Sequence, residues 1–223
     1  MSFPTPSSIS FMPLDLPRFD GQDEVRASFN PTHTSTIWAQ NNLIPSYVKD
    51  GLPYDSPRSW LPEARSRMPK LIAFVEEHLP FRSIVNAKVL KSNDTALGIH
   101  VDIGKYDWAG MEFYQHQYEM APAAYRIILD GEGERILYYT DAPDTPREHW
   151  VWARMPPSTN SFIHSSVDSL HGAEYYPGLN RFILFIHGWL DPVRHRALLE
   201  RSYQRYRDYS ISFDQLKAHR CAS

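Results

Sequence analysis

His100-Val101-Asp102 closes a predicted strand over 96–101. Residues i and i+2 of a strand project from one face, so this imidazole and this carboxylate can converge on a single metal ion. A third ligand must then come from elsewhere in the chain. Two histidines and one carboxylate cover one face of an octahedron and leave the remaining positions open, an arrangement suited to non-haem iron. A His-x-Asp tripeptide is common by chance, so its weight depends on what else the chain supplies.

His171 lies 69 residues after Asp102, on a later predicted strand, and Arg181 follows ten residues after that, at the start of the next one. If a barrel brings those two strands together, Arg181 can pair bidentately with a carboxylate whose other end chelates the metal. A dicarboxylate-like cosubstrate such as 2-oxoglutarate fits that geometry. The chain has 10 histidines, so decoys are expected. His164, seven residues before His171, is the alternative distal ligand, but the residue ten positions after it is Glu174. His187 is followed by Arg194 and Arg196, which fall on a predicted helix, and His116 and His149 read as loop residues. Arg126 reads either as a site residue or as the partner of an acidic neighbour. For Arg181 a bland role is harder to sustain, because burying an unpaired guanidinium is costly.

Short apolar runs carry these residues. Strands are expected over 83–90, 96–101, 124–129, 135–140, 150–153, 161–164, 170–175 and 181–187, where β-branched and aromatic residues concentrate and several runs alternate. Asn93-Asp94, Asp130-Gly131-Glu132-Gly133, Pro156-Pro157 and Pro177-Gly178-Leu179-Asn180 punctuate them. Many short strands with regular turns indicate a sandwich or jelly-roll barrel. Ahead of them, Leu61, Ala64, Met68, Leu71, Ile72, Val75 and Leu79 recur at helical spacing. Ser59 is the expected cap, Pro62 falls in the first turn, Pro69 is an expected kink and Pro80 ends the helix. Residues 1–57 are interrupted by eight prolines and read as an irregular segment wrapping the core. Asp191-Pro192 opens a helix to about residue 206, and a shorter one starts at Ser212 with Phe213 and Leu216 on one face. The expected organisation is one domain: residues 1–82 as wrapping segment and helix, 83–191 as β core, and 192–223 as terminal helices.

Composition narrows the function classes. The net charge is −3, with 23 basic side chains interspersed among 26 acidic ones, which gives no bulk attraction to nucleic acid or an anionic membrane. Cys221 is the one cysteine, so an intramolecular disulfide and a Cys-based zinc or iron–sulfur site are excluded. No basic n-region and apolar h-region open the chain, and no apolar run reaches the ~18 residues of a membrane span. A cytoplasmic location is expected. The stretch 103–122 holds Trp108, Met111, Phe113, Tyr114, Tyr118 and Met120, and reads equally as a packed surface loop or as a lid that excludes water from the site. Trp189 reads as a core residue.

The His-x-Asp, distal His and Arg series resembles the 2-oxoglutarate/iron(II) oxygenase superfamily, whose fold is a double-stranded β-helix of jelly-roll, cupin-like form. Two further stretches resemble its aspartyl/asparaginyl β-hydroxylase-like group. One is Tyr125-Arg126-Ile127-Ile128-Leu129, and the other is the run from Arg181 through Trp189 to Pro192. The resemblance covers residues 84–192. It implies His100, Asp102 and His171 as iron(II) ligands and catalytic residues, and Arg181 as the partner of the far carboxylate of 2-oxoglutarate. Arg126 would clamp the substrate carboxylate or the near carboxylate of the cosubstrate, with Asn86 and Ser169 as further polar contacts. Molecular oxygen is the second cosubstrate. Asp102 argues against halogenation, where a small residue replaces the carboxylate. Ile128 departs from the group, which has a cosubstrate-binding histidine there. The implied activity is dioxygenase chemistry on an unactivated C–H bond of an amino acid or related carboxylate-bearing small molecule. A residue within a peptide or protein, and a non-catalytic cupin-like binding module, are the alternatives. Substrate identity and oligomeric state are not encoded in any motif.

Overall fold

Eight strands from β4 onward trade places between two sheets. β4 (Phe81–Ser92), β6 (Ala123–Asp130), β9 (Ser161–Ser165) and β11 (Arg181–Leu190) lie in one sheet, and β5 (Leu97–His100), β7 (Tyr138–Thr140), β8 (Val151–Trp152) and β10 (Leu170–Ala173) lie in the other. The computed structural model describes residues 9–34, 38–45, 58–92, 96–101, 123–131, 137–165, 169–174 and 181–221. All its strand pairings are antiparallel, and the result is a β-sandwich with flanking helices. The smaller sheet has the order β5-β10-β7-β8.

The larger sheet is wider than its four core strands. Its order is β12-β1-β9-β6-β11-β4-β3-β2, with β1 (Ile9–Pro13), β2 (His33–Thr34), β3 (Trp38–Asn42) and β12 (Ile211–Ser212) added at the two sides. Here the structure corrects the expectation of an irregular N-terminal segment. β1 is buried throughout and sits between β9 and β12. Prolines forbid a long helix, yet Pro13 at the last position of a strand costs little, and an added strand covers an edge that would otherwise present unpaired N–H and C=O groups.

Period-2 alternation divides the larger sheet into two faces. Ala87, Val89, Tyr125, Ile127, Leu129, Ile163, Phe182, Leu184 and Ile186 point to the helices and form the main core with Val25, Met68, Leu71, Val75, Leu198 and Leu199. The opposite face meets Tyr139 of the smaller sheet through Phe11, Phe162 and Ile128. The functional residues of β4, β6, β9 and β11 lie on this second, inter-sheet face.

The helices match the expected pattern with two changes. The run of apolar residues forms α2 (Pro62–Arg67) and α3 (Pro69–His78), separated at Met68 with φ −129° and ψ 50°. Pro69 disfavours the helical conformation of the residue before it, so the expected kink is a full break. Leu61, not Ser59, caps α2, and it does so without a side-chain bond. The new helix start at Pro69 is capped from outside. Glu24, on α1 (Gln22–Ser28), accepts from Lys70 N at 3.0 Å and Leu71 N at 3.1 Å, placing a carboxylate at the positive end of the helix dipole. Asp191 caps α4 (Pro192–Tyr206) through Val193 N and Arg194 N, both at 3.0 Å. Ser212 and Gln215 form a reciprocal capping box at α5 (Phe213–Cys221). No helix among the described residues is long and apolar enough to cross a membrane.

α4 also buries a histidine in the main core. His195 Nδ1 lies 2.6 Å from the Tyr125 hydroxyl, and burial pushes its pKa down from 6.5 to about 4. Between those values the unfolded chain binds the proton and the folded chain does not. Stability therefore rises with pH across this window and is lost as pH falls. A depression of this size corresponds to about 3 kcal/mol. Urea unfolding at pH 7 and pH 4.5 should show this loss in the wild type. His195→Gln, which keeps a hydrogen-bonding group without titrating, should show a flatter profile; an unchanged profile would remove His195 as its source.

Candidate metal centre

β10 runs between β5 and β7, and its register sets His171 directly opposite His100 on one side and Tyr139 on the other. The two imidazole centroids are 4.6 Å apart, with planes inclined at 46°. Two imidazoles bound to one ion at right angles, with metal–nitrogen bonds of ~2.1 Å, have centroids about that far apart. His171 is buried, 3% exposed, and His100 is half-buried.

Each ring is oriented by a carbonyl two residues earlier in its own strand. His100 Nδ1 donates to Gly98 O at 2.8 Å, and His171 Nδ1 donates to Ser169 O at 2.9 Å. A carbonyl can only accept, so Nδ1 bears the proton in both rings. In the neutral rings Nε2 then carries the lone pair. Such outer-shell bonds set tautomer and ring direction in metal-ligating histidines. The donor set therefore fits a divalent transition metal. Asp102 lies outside the described residues, one position beyond Val101. Among the described residues no group of three His, Cys, Asp or Glu side chains is placed to hold a metal.

His164 stands in the same cluster. Its ring is 4.6 Å from that of His171, and its Nδ1 lies 3.1 Å from the hydroxyl of the fully buried Tyr139. Phe11 packs on Tyr139 at 5.5 Å and on Phe162 at 5.2 Å, closing the floor between the sheets with apolar surface. The two candidates for the distal position are thus neighbours in space.

The back of the centre is braced from the outer face of the smaller sheet. Tyr138 stacks on Trp150 at 3.9 Å and 4°, and its ring passes tightly over Gly172. A Cβ at Gly172 would run into the Tyr138 hydroxyl and come within 2.8 Å of Leu97 O. Overpacking of this kind costs about 1–3 kcal/mol, and here it would push β10 away from β5. Gly172→Ala is expected to lower stability by that amount in urea unfolding and to displace the adjacent His171, which would weaken the hold on any divalent metal bound there. A variant with wild-type affinity would separate the brace from the metal centre.

The facing sheet contributes cations. Arg181 opens β11 and is 6% exposed; it makes no ion pair among the described residues, and its Nε has no hydrogen-bond partner there. Desolvation pushes its pKa down from 12.5 to about 10, so it remains charged at neutral pH. β10 and β11 are not hydrogen-bonded neighbours, as the spacing suggested, but lie in opposed sheets. Facing sheets stand ~10 Å apart, a gap that a ligand and an arginine side chain can fill. Arg126 is also 6% exposed; its Cζ lies 3.4 Å from the centroid of Phe185 and its Nη1 donates to Tyr125 O at 3.4 Å. Asn86 pairs in register with His187 and is half-buried. Ser169 reaches the centre through its carbonyl, while its hydroxyl takes a bond from Ser10 Oγ at 2.9 Å and donates to Ser10 O at 3.0 Å, tying β10 to β1.

Sequence reasoning did not single out Tyr139, Lys88 or Phe185. The signal was available. Lys88 shares strand parity with Asn86, and Phe185 shares it with Arg181, so both fall on the face that carries the chosen residues.

No protein-family model and no curated protein matches the chain. Solved structures match at low identity. EvdMO1 aligns at 14% identity and a TM-score of 0.44 over 83% of this chain and 48% of that one, so this chain spans about half the length of EvdMO1. An oxidoreductase of the 2OG-Fe(II) oxygenase family from Burkholderia pseudomallei aligns at 11% identity and 0.41, over 74% of this chain and 76% of that one. AviO1 from Streptomyces viridochromogenes Tue57 aligns at 14% identity and 0.40, over 86% and 97%. Likenesses of this strength leave the site's own geometry to decide its chemistry.

Proposed function

We propose that this chain is an iron(II)- and 2-oxoglutarate-dependent dioxygenase that hydroxylates an unactivated C–H bond of an amino acid or related carboxylate-bearing small molecule. The observation that carries it is the opposed pair His100 and His171, each with Nδ1 committed to a backbone carbonyl, in the smaller sheet that faces buried Arg181. The alternation of β4 to β11 between two sheets supports a double-stranded β-helix as the scaffold.

His100, Asp102 and His171 hold the iron. When bound, iron(II) supplies oxygen activation coupled to conversion of 2-oxoglutarate to succinate, and so the power to oxidise a C–H bond. The rest of the work falls to the chain's own residues. Arg181 binds and aligns the far carboxylate, for which a desolvated guanidinium is a strong partner. Arg126, held against Phe185, orients the substrate carboxylate. Phe11, Tyr139 and Phe162 exclude water from the gap between the sheets.

The test is spectroscopic. Anaerobic addition of iron(II) and 2-oxoglutarate should produce a weak visible charge-transfer band, and its absence would overturn the assignment. Asp102→Ala should lose the activity; a variant with full activity would overturn the ligand set. Succinate release should respond to pooled free amino acids rather than to pooled peptides, and the reverse would move the substrate to a peptidyl residue.

A further inference from the structure

The two ring-orienting carbonyls of the metal centre are held in different ways. That of His100 belongs to Gly98, inside β5. That of His171 belongs to Ser169, while the register pairs of β10 begin only at Leu170 among the described residues. Ser169 is secured through its side chain. Its hydroxyl accepts from Ser10 Oγ at 2.9 Å and donates to Ser10 O at 3.0 Å. A serine hydroxyl has one proton to give, so this one is committed to β1 and not to a bound cosubstrate. Two bonds to the same residue close a ring through the Ser10 backbone and fix the Ser169 rotamer, which a single bond would let swing. Both serines are 0% exposed, in surroundings where a hydrogen bond is electrostatically stronger than in water.

Ser10 is itself anchored. Its neighbour Phe11 pairs in register with His164 and packs on Tyr139. Just beyond β1, Asp15 N donates to Ser202 Oγ at 2.9 Å, and Arg205 Nη1 donates to Asp15 Oδ1 at 2.6 Å. β1 is thereby fixed to β9 and to α4, and the Ser10–Ser169 pair passes that fixity to a carbonyl 159 residues away in sequence. The carbonyl matters because tautomer decides ligation. With the proton of His171 held on Nδ1, Nε2 carries the lone pair that a metal takes.

Resting on the reading of His171 as an iron ligand, we propose that Ser10 and Ser169 are positioning residues of the metal centre. Through them strand β1 holds the carbonyl that sets the tautomer and direction of His171.

Two measurements test this, and neither needs turnover. In metal-free protein carrying isotope-labelled histidine, two-bond proton–nitrogen correlations at mildly alkaline pH read the tautomer of His171. The wild type should show the Nδ1–H form. Ser169→Ala, which keeps the carbonyl and removes both side-chain bonds, should show a mixture with the Nε2–H form. Titration with cobalt(II) should find affinity in this variant about 10–100-fold weaker, the usual loss for an outer-shell partner. Ser10→Ala, which leaves the bond to Ser10 O in place, should show both changes at smaller amplitude. Val75→Ala, which loosens the main core on the helix side of the larger sheet, should lose stability and show neither change. A Ser169→Ala protein with the wild-type tautomer would overturn the proposal, whatever its cobalt affinity. So would a Val75→Ala protein that loses as much affinity, since the effect would then be a general loosening of the fold. If the wild type binds no cobalt(II) while the tautomer still responds to Ser169→Ala, the metal reading falls and the brace from β1 remains.

Discussion

Arg181→Met is expected to give a protein that is more stable than the wild type and blind to 2-oxoglutarate. The guanidinium is 6% exposed, its Nε lacks a partner among the described residues, and burial lowers its pKa from 12.5 to about 10. That depression corresponds to ~3 kcal/mol set against the charged form at every pH below 10. The sign follows from linkage. The unfolded chain holds the proton more tightly than the folded one, so the charge at this position opposes folding throughout the neutral range. Methionine fills a similar volume without the charge, and replacing buried ionic groups by apolar ones of like size stabilises by about 1–4 kcal/mol in favourable cases. A gain of about 1–3 kcal/mol is expected in urea unfolding without ligand. With 2-oxoglutarate at a hundred times its dissociation constant the wild type should gain about 2.7 kcal/mol, and Arg181→Met should gain none. A variant that is less stable than the wild type, yet still stabilised by 2-oxoglutarate, would show that Arg181 is a structural residue and not a ligand anchor.

The second large effect is expected at His171. Loss of an outer-shell partner alone typically costs a metal site about 10–100-fold in affinity, so removal of a ligand should exceed ~100-fold. His171→Ala should therefore lose the iron(II) and 2-oxoglutarate absorption band and reduce turnover to background. Because His164 lies 4.6 Å from His171 and was the competing distal ligand, His164→Ala is the necessary companion. Its expected outcome is a retained band, since the Nδ1 of His171 is the one committed to a backbone carbonyl, whereas that of His164 meets the side chain of Tyr139. A band lost in His164→Ala and kept in His171→Ala would exchange the two roles. Both variants should still fold, because the Leu170 and Gly172 register contacts that place β10 against β7 are backbone pairings.

Much of this architecture was legible in the chain before any coordinates. Every strand expected between 83 and 187 has a counterpart, though those over 96–101, 135–140, 150–153 and 170–175 stop a residue short at one or both described ends; period-2 alternation and β-branched or aromatic content are properties of short local stretches. The cap at Asp191 was legible for the same reason: a side-chain oxygen reaches N–H groups only two or three residues away. The break at Met68 was half legible, since Pro69 announces a disturbance, while its size depends on Glu24 arriving from α1 to cap the second helix. β1 was hidden. The prolines around it exclude a long helix, and only the tertiary fold gives Ile9–Pro13 its partners, β9 on one side and β12 on the other.

For the site, the sequence alone determined which side chains have the chemistry, and in what order: an imidazole two residues from a carboxylate at a strand end, a distal histidine, and an arginine ten residues on. Strand parity fixes which of them share a face, because it depends on nothing beyond the backbone. The tertiary structure decided who stands opposite whom. It set His171 against His100, placed His164 beside them, put Arg181 in the facing sheet and not on a hydrogen-bonded neighbour, and lined up Lys88, Phe185 and Arg126 in one row. The physical reason is that register between distant strands is chosen by the burial of both faces together, Tyr138 over Gly172 outside and Tyr139 against Phe11 inside, and no local stretch contains both sides of that choice.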